Sequence, residues 1–342
     1  MTHSEIAASL FRERRIWEAA RQYQLGTAAG QDPEPGALER WLTYMMAGEF
    51  ELAWQESDRV LRNRRHSGQT CAHLPEHQRW LWDGTPLNGR HVLVRCFHGL
   101  GDTIQFVRFL PQLRALCSKV SFLPQAELSE LIPPVREEGD PDIEIELMEV
   151  PHALRLTLKS LPAEYRYLKV SGAEPRSDSL FRVGLVWASG AWRPERSIPL
   201  PDFRFLNGLP GLELIGLQRG PAALQRPPNS PLFHQGDWRN TSIVETARTI
   251  RSLDLVITTD TMVAHLAGAL GVPVWTLLHW DADWRWMVDR DDSPWYPSMR
   301  LFRQAQPGDW SDVLNRVRTE LTHQHKQVRE QQADTSHNAE GA

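Results

Sequence analysis

The sequence LDLVITTDTMVAHLAGALGVPVW occupies residues 253–275 and predicts a strand, a helix and a second strand in succession. Leu255, Val256 and Ile257 form a short apolar run, as in a buried strand. Apolar residues then recur at helical spacing from 263 to 270, and Gly271 is placed to end that helix. A second apolar run covers residues 272–278. Such a unit is typical of a parallel α/β sheet.

The junction between the first strand and the helix predicts a binding site for an anion. At the carboxyl end of a parallel strand, the free N–H groups of the following helix attract negative charge. Asp260 or Thr261 can cap this helix, and Met262 belongs to its first turn. His265 follows one turn later, among small residues that leave room for close approach to the backbone. We therefore expect a phosphate group near residues 260–264.

A glycine loop, HGLGD at residues 98–102, follows another predicted strand and precedes a predicted helix at residues 103–116. It lacks the third glycine of a dinucleotide fingerprint, since Ile104 stands there, and the Asp102 carboxylate would repel a pyrophosphate. A nicotinamide-dependent oxidoreductase is therefore disfavoured. Asp102 is either a general base facing a cleft or the N-cap of its helix, and the local sequence supports both. His98 is either a second polar group at that cleft or a loop histidine.

The chain divides into five predicted segments. Residues 1–65 are all-helical, 66–79 form a polar connector, and 80–172 alternate strands and helices as a first Rossmann-like half. Residues 180–322 form a second such half with a final helix at 309–321, and the polar tail 323–342 is expected to be disordered.

The helical segment carries a faint internal repeat. Trp17 aligns with Phe50 at a period of 33 residues, close to the 34 of tetratricopeptide helix pairs. Two repeats are too few to stand alone, so we expect them to dock on the next domain. Their role is either a surface for a partner or acceptor, or a helical cap that stabilises the catalytic body or a dimer.

The sequence WASGAWRPERSIPL, residues 187–200, forms another loop after a predicted strand. Its hydroxyl, glycine and arginine residues suit a diphosphate, because charge-assisted hydrogen bonds to phosphate oxygens are strong. An exposed basic loop is the alternative. The residues concerned are Ser189, Gly190, Arg193, Arg196 and Ser197.

Acidic and tryptophan residues gather in a later loop. Asp281 and Asp283 have the spacing of an Asp-x-Asp metal pair, but neighbouring arginines favour ion pairs within a packed loop over a magnesium site. Trp280, Trp284, Trp286 and Trp295 form either a core beneath a long loop or a platform for a ligand.

Composition excludes several classes of protein. The net charge of −5 argues against a general binder of nucleic acid or anionic membranes. Three cysteines without metal-type spacing favour a reducing cytoplasm, and the first residues lack the apolar core of a signal peptide. No apolar run is long enough for a transmembrane segment.

Several long motifs resemble one known family. GLGDTIQFVRFLP, RSIPL and DTMVAHLAGALGVPVW resemble bacterial glycosyltransferase family 9, the heptosyltransferase type with the GT-B fold. WDGTPLNGRHVLV, DWRWMVDRDDSPWYPSMRLFRQ and PGDW resemble the subset fused to tetratricopeptide repeats. The resemblance covers about residues 80–321. It implies two Rossmann-like lobes facing a cleft, preceded by a tetratricopeptide-like helical segment.

The resemblance also implies a reaction: inverting, metal-independent transfer of a sugar from a nucleotide diphosphate, ADP-heptose-like or other, without a cofactor. The acceptor would be a hydroxyl of a glycan, a lipopolysaccharide or a protein, with a protein partner held by the helical repeats. A non-catalytic scaffold or sugar-nucleotide binding module is the alternative. Asp102 matches the catalytic aspartate, with His98 and Gly101 as candidate acceptor-side residues. The implied donor and phosphate site comprises Ser189, Gly190, Arg196, Ser197, Asp260, Thr261, Met262 and His265. The chain departs from the family pattern in having arginine rather than lysine at 196 and methionine at 262.

Overall fold

The protein is mixed α/β with two parallel sheets, as seen in a computed structural model. The structure describes residues 1–31, 36–172, 180–206, 209–225 and 242–340, with side chains to residue 326. It forms two compact units. Unit 1 comprises residues 1–129, 133–163 and 283–290, and unit 2 comprises residues 130–132, 164–282 and 291–342.

Unit 1 begins with four helices: α1 (His3–Arg12), α2 (Ile16–Ala28), α3 (Ala37–Met46) and α4 (Phe50–Ser67). The first is started by a capping box between Thr2 and Glu5, and the last ends at Gly68 in the left-handed conformation. The positions matched by the sequence repeat differ in burial, since Trp17 is 51% exposed and Phe50 only 2%. Another aligned pair, Ala20 and Ala53, is buried in both copies, so the tetratricopeptide-like repeat stays a prediction.

Helix α4 packs on residues 152–156 of unit 1. The indole of Trp54 donates to the carbonyl of Leu156 at 2.6 Å and stacks on the His152 ring. The Asp58 carboxylate accepts hydrogen bonds from His152 and Arg155. The helical segment is thus joined to the sheet region by one buried hydrogen bond, from Trp54, and by more exposed ion pairs at Asp58.

The first sheet contains three parallel strands in the order β2–β1–β3: β1 (His91–Arg95), β2 (Lys119–Leu123) and β3 (Ile143–Glu146). Helices α5 (Leu100–Phe106), α6 (Leu110–Leu116) and α7 (Val150–Ala153) accompany it. The single helix predicted at 103–116 begins at Leu100 and is divided by a 3₁₀ turn, because Pro111 cannot donate a helical hydrogen bond. The helix expected near 126–132 is only a 3₁₀ turn, since the chain returns to pair Val135 with Phe122.

Unit 2 contains a five-stranded parallel sheet in the order β5–β4–β6–β7–β8. Its strands are β4 (Phe181–Val186), β5 (Leu212–Gly216), β6 (Leu255–Thr259), β7 (Val274–Leu278) and β8 (Met299–Arg303). Its helices are α8 (Ile243–Arg251), α9 (Met262–Leu270) and α10 (Ser311–Glu340). Central strand β4 packs so closely that a Cβ at Gly184 would lie 2.5 Å from a Leu253 methyl group.

Two elements of unit 2 differ from the sequence prediction. Strand β8 was not predicted, because its two central apolar residues are flanked by arginines, as suits a sheet edge. Helix α10 continues to Glu340, whereas the sequence predicts an end at 321 followed by a polar tail. Among the residues described, no helix combines the length and the apolar character needed to cross a bilayer.

Candidate functional site

A cavity of about 670 Å³ opens at the carboxyl edge of the second sheet. Its walls are the loops that follow β4, β5 and β6. The strand order reverses here, because β5 lies on one side of β4 and β6 on the other. Ligands of open parallel sheets bind at this kind of switch point. Of the site residues predicted from the sequence, the cavity is lined by Ser189, Gly190, Arg193, Arg196, Asp260, Thr261 and Met262.

The loop after β4 is held by hydrogen bonds across its two ends and by hydrogen bonds to a neighbouring side chain. The Ile198 amide donates to the Trp187 carbonyl at 2.8 Å, and the Ser189 amide donates to the Ser197 hydroxyl at 3.1 Å. Buried Gln218 accepts from the amides of Trp187 and Ala188 at 3.1 and 2.8 Å. These bonds hold the loop in one shape, so its backbone can meet a ligand without first being ordered.

Ser197 does not line the cavity itself. Its hydroxyl supports Ser189, whose own hydroxyl donates to the Arg193 carbonyl at 2.7 Å. Gly190 lies at the open lip, where an added Cβ would meet no atom within 4 Å. Further along the loop, Trp192, Arg193 and Arg196 also line the cavity.

An ion pair spans the cavity wall. The Arg196 guanidinium lies 3.3 Å from the carboxylate of Asp260, which is only 5% exposed. Arg196 thereby stands beside the carboxyl end of β6, where the sequence predicts a phosphate. A guanidinium in this position offers several N–H donors to an anion.

Helix α9 starts at the same wall. Thr261 occupies its N-cap position without a side-chain capping bond, and its hydroxyl instead lies 3.1 Å from the Thr258 hydroxyl. The first N–H groups of a helix have no intrahelical acceptor and carry the positive end of its dipole. The start of α9, with Met262 at its first position, therefore adds N–H donors to the cavity.

Arg193 is held by acidic and histidine groups on the cavity's rim. Its guanidinium pairs with Glu195 and donates to Asp281 at 3.2 Å and to the Nε2 atom of His279 at 3.0 Å. Burial, together with the charges of Arg193 and Arg196, lowers the pKa of His279 to about 4. The imidazole is therefore neutral at pH 7 and accepts the arginine N–H bond.

His265 lies away from the cavity. Its ring is buried inside α9, where Nδ1 lies 3.1 Å from the hydroxyl of buried Tyr296. Gly268 on the same helix faces that tyrosine so closely that a Cβ would lie 2.5 Å from the ring. The geometry gives His265 a place in the core beneath the helix rather than in the cavity wall.

Asp102 lies in unit 1, in the first turn of α5 next to Gly101. Its Oδ2 atom accepts from the Gly99 amide at 2.9 Å, so it caps the helix from inside the first turn. Its Oδ1 atom accepts from Arg285 at 2.6 Å. A carboxylate offers about four lone-pair positions, so two bonds leave capacity for a third partner.

His98 stands beside a buried carboxylate. Its Nδ1 atom lies 3.1 Å from Glu146, which is 1% exposed and accepts from the amides of Phe97 and Met148. Burial opposes the charge of His98, but Glu146 more than offsets this effect and raises its pKa above the usual value. Burial also raises the pKa of Glu149 to about 7, although three backbone amides oppose that rise. This edge of the first sheet thus contains several titratable groups.

The acid pair considered as a magnesium site instead binds arginines. Asp281 accepts from Arg193, and Asp283 accepts from Arg285 at 2.8 Å. Within the described ranges, no group of three or more His, Cys, Asp and Glu residues could hold a metal ion. Of the tryptophan cluster, Trp284, Trp286 and Trp295 are buried.

Sequence reasoning missed several residues of these sites, among them Gln218 and Arg285. Gln218 follows a predicted strand, which is the only local signal of its role in pinning the loop. Arg285 lies within the motif DWRW, but its partner Asp102 is 183 residues away in the sequence. Neither contact follows from spacing along the chain.

Comparison with known proteins finds limited likeness. No protein-family model matches the chain. Protein FlbA of Caulobacter vibrioides is 23% identical over 286 residues, which cover 70% of this chain and 48% of FlbA. The chain therefore spans about half the length of this curated relative.

Three solved structures are similar to parts of the chain. A family 9 glycosyl transferase from Veillonella parvula has a TM-score of 0.44 and 14% identity, covering 64% of this chain and 87% of its own. The iron-containing dodecameric glycosyltransferase TibC of enterotoxigenic E. coli has a TM-score of 0.46 and 13% identity, covering 66% of each chain. The E. coli heptosyltransferase WaaC with ADP has a TM-score of 0.41 and 14% identity, covering 70% of this chain and 98% of its own.

Proposed function

We propose that this protein is a glycosyltransferase of the GT-B type that moves a sugar from a nucleotide diphosphate to a hydroxyl acceptor. The observation that carries the proposal is the cavity at the switch point of the second sheet. Its volume of about 670 Å³ suits a small ligand, and its wall combines Arg196 with the start of α9. The motifs that resemble those of glycosyltransferase family 9 support the same function.

The diphosphate is the part of the donor that this cavity suits best. Arg196 supplies a delocalised positive charge. The backbone N–H groups after Asp260 supply hydrogen-bond donors at the positive end of the α9 dipole. Both interactions strengthen as the diphosphate gains charge on leaving the sugar. Ser189 and Ser197 keep the neighbouring loop in place for that contact.

The proposed reaction is a single displacement at the sugar. The acceptor oxygen attacks the anomeric carbon, the bond from that carbon to the diphosphate oxygen breaks, and the configuration inverts. The bonding electron pair leaves on the diphosphate, and the acceptor's proton passes to Asp102. Supporting this assignment, Asp102 is partly exposed, is fixed by two hydrogen bonds and still has lone pairs to offer.

The acceptor is proposed to be a glycan, lipopolysaccharide or protein hydroxyl. We assign His98 and Gly101 to the acceptor side, because they flank Asp102 on the same loop. The four N-terminal helices would act as a tetratricopeptide-like segment that binds a protein partner or supports this loop. His265 supports α9 through Tyr296 in this scheme.

Two measurements test the proposal. Isothermal titration with ADP, GDP, UDP and dTDP should find at least one ligand, and the matching sugar nucleotides should then release their nucleoside diphosphate in the presence of hydroxyl acceptors. Asp102→Asn should lower turnover by roughly 10²–10⁴-fold, the usual contribution of a general base, without weakening nucleotide binding. Near-normal turnover in this variant would remove Asp102 from the reaction. Nucleotide binding without release or transfer for any donor would identify a binding module instead.

A further inference from the structure

One short segment belongs to a different compact unit from the residues on either side of it. Residues 283–290, here called the strap, belong to unit 1, although the residues on either side belong to unit 2. The chain thus enters unit 1 for a few residues and leaves it again. Such a detour has to be stabilised by contacts inside unit 1, because ordering the backbone of residues 283–290 costs conformational entropy.

Arg285 makes the central contacts of the strap. Its guanidinium donates to Asp102 at 2.6 Å, to Gln105 at 2.9 Å and to Asp283 at 2.8 Å. It also lies over the rings of Trp284 and Phe106, with 4.6 and 5.5 Å to the centroids. The residue is only 7% exposed. All three guanidinium nitrogens therefore have a fixed acceptor in a site with little water.

These contacts fix one oxygen of Asp102, while the amide of Gly99 fixes the other. The carboxylate plane is therefore set from two directions, by its own helix and by the strap. The side chain nevertheless remains 26% exposed. An oriented yet accessible carboxylate is the arrangement that proton transfer to it requires.

The opposite side of the strap is held by the N-terminal helices. The ring of Trp284 packs edge-on against Trp41 of α3, with centroids 5.3 Å apart. The indole N–H of Trp17 on α2 donates to Asp289 at 2.9 Å. A chain of direct contacts thus leads from α2 and α3 through the strap to Asp102.

We propose that Arg285 is a positioning residue for Asp102, and that the N-terminal helices act on the reaction by clamping the strap. This inference rests on the proposed function of Asp102. It assigns the helices a part in the acceptor-side machinery, in addition to any partner they bind. Lysine cannot replace Arg285, because a single ammonium group cannot reach three acceptors in one plane.

The test compares Arg285→Lys, Arg285→Gln and Trp41→Ala with the control Arg300→Gln. Arg300 is a suitable control because it forms an exposed ion pair with Glu320 in unit 2. Each variant is first shown to melt cooperatively, so that unfolded protein is not mistaken for a rate effect. Turnover with the active donor and backbone hydrogen exchange of residues 98–106 are then measured.

We expect kcat to fall about 10–100-fold in both Arg285 variants with KM for the donor unchanged, since orientation of a catalytic group is lost but the donor cavity is not touched. Trp41→Ala should lower kcat by a smaller factor in the same direction. Arg285→Gln should add nothing to Asp102→Asn, because it acts through that carboxylate. A further loss of tenfold or more in the double variant would overturn the positioning role.

Hydrogen exchange separates this inference from the proposed function. Residues 98–106 should exchange at least threefold faster in Arg285→Gln and Trp41→Ala than in Arg300→Gln, whether or not the protein turns over any donor. Faster exchange in an inactive protein would support the clamp and defeat the proposed function. Unchanged exchange in Arg285→Gln would overturn the clamp, and unchanged exchange in Trp41→Ala alone would overturn the part played by the helices.

Discussion

The Arg196–Asp260 pair offers a test in which binding and stability can be separated. Arg196→Gln removes the guanidinium that faces the buried Asp260 carboxylate at 3.3 Å and keeps a polar side chain of similar width. Under the proposed function, the same change removes a cation from the diphosphate. One substitution therefore perturbs two interactions whose sizes can be estimated independently.

The loss in binding follows from the strength of hydrogen bonds to charged groups. Such bonds contribute about 1.5–3 kcal/mol each, which corresponds to a roughly 10- to 150-fold rise in Kd. The loss in stability follows from breaking a buried ion pair on one side, which costs about 3–5 kcal/mol. Because the Arg196 side chain is 18% exposed, we expect the lower end, about 3 kcal/mol.

The assay combines Arg196→Gln with Asp260→Asn. Urea unfolding should show that the double variant regains most of the lost stability, because no buried carboxylate remains without its arginine. Isothermal titration with the nucleoside diphosphate that binds the wild type should show that its affinity stays low. Arg300→Gln, which removes an exposed arginine of the same unit, should change neither quantity by more than about 0.5 kcal/mol.

Recovery of affinity in the double variant would refute this reasoning. It would mean that Arg196 serves only to neutralise Asp260 and does not meet the phosphate. A wild-type Kd in Arg196→Gln alone would lead to the same conclusion. Loss of binding that persists after stability is restored supports the phosphate contact.

Three further outcomes are expected. Burial raises the pKa of Glu149 to about 7, above the value of an unfolded glutamate. The neutral form of Glu149 therefore favours folding, and the protein loses stability as pH rises through 7. Glu149→Gln should remove this loss, which is roughly 3 kcal/mol. In urea unfolding, the free energy of unfolding of the variant should therefore exceed that of the wild type at pH 8 and not at pH 4. Gly268→Ala should destabilise by about 1–3 kcal/mol because its Cβ meets the Tyr296 ring at 2.5 Å, and adding Tyr296→Leu should cost less than the sum of the two single losses in thermal melts. Glu146→Gln should lower the pKa of His98 in an NMR titration, since burial then acts without the opposing carboxylate; an unchanged titration would contradict the pairing.

The local pattern of apolar residues predicted the elements that are buried on nearly every side. The apolar, β-branched run became β6 (Leu255–Thr259), and the helical spacing after it became α9 (Met262–Leu270). Both are almost wholly buried, so nearly every residue carries the signal. Strand β8 lies at a sheet edge with arginines along it, so the same criterion failed there.

Sequence could not separate the two interpretations of Asp102, because capping its helix and acting as the proposed base use the same side chain. Capping occupies one carboxylate oxygen, at the Gly99 amide, and leaves the other for Arg285. That second contact joins residues 183 positions apart. Spacing rules describe neighbours within an element, and a contact of this range depends on how the whole unit folds.

The acid pair at Asp281 and Asp283 shows how a short motif can serve two purposes. Only one residue separates them, yet Asp281 belongs to unit 2 and Asp283 to unit 1. Each holds an arginine of its own unit: Arg193 on the cavity rim, and Arg285 beside Asp102. An Asp-x-Asp pair that binds a single metal must bring its carboxylates together. Here each carboxylate accepts hydrogen bonds from a different arginine. One arginine lies near the proposed diphosphate site and the other near the proposed base, so the motif holds one cation beside each of these two groups.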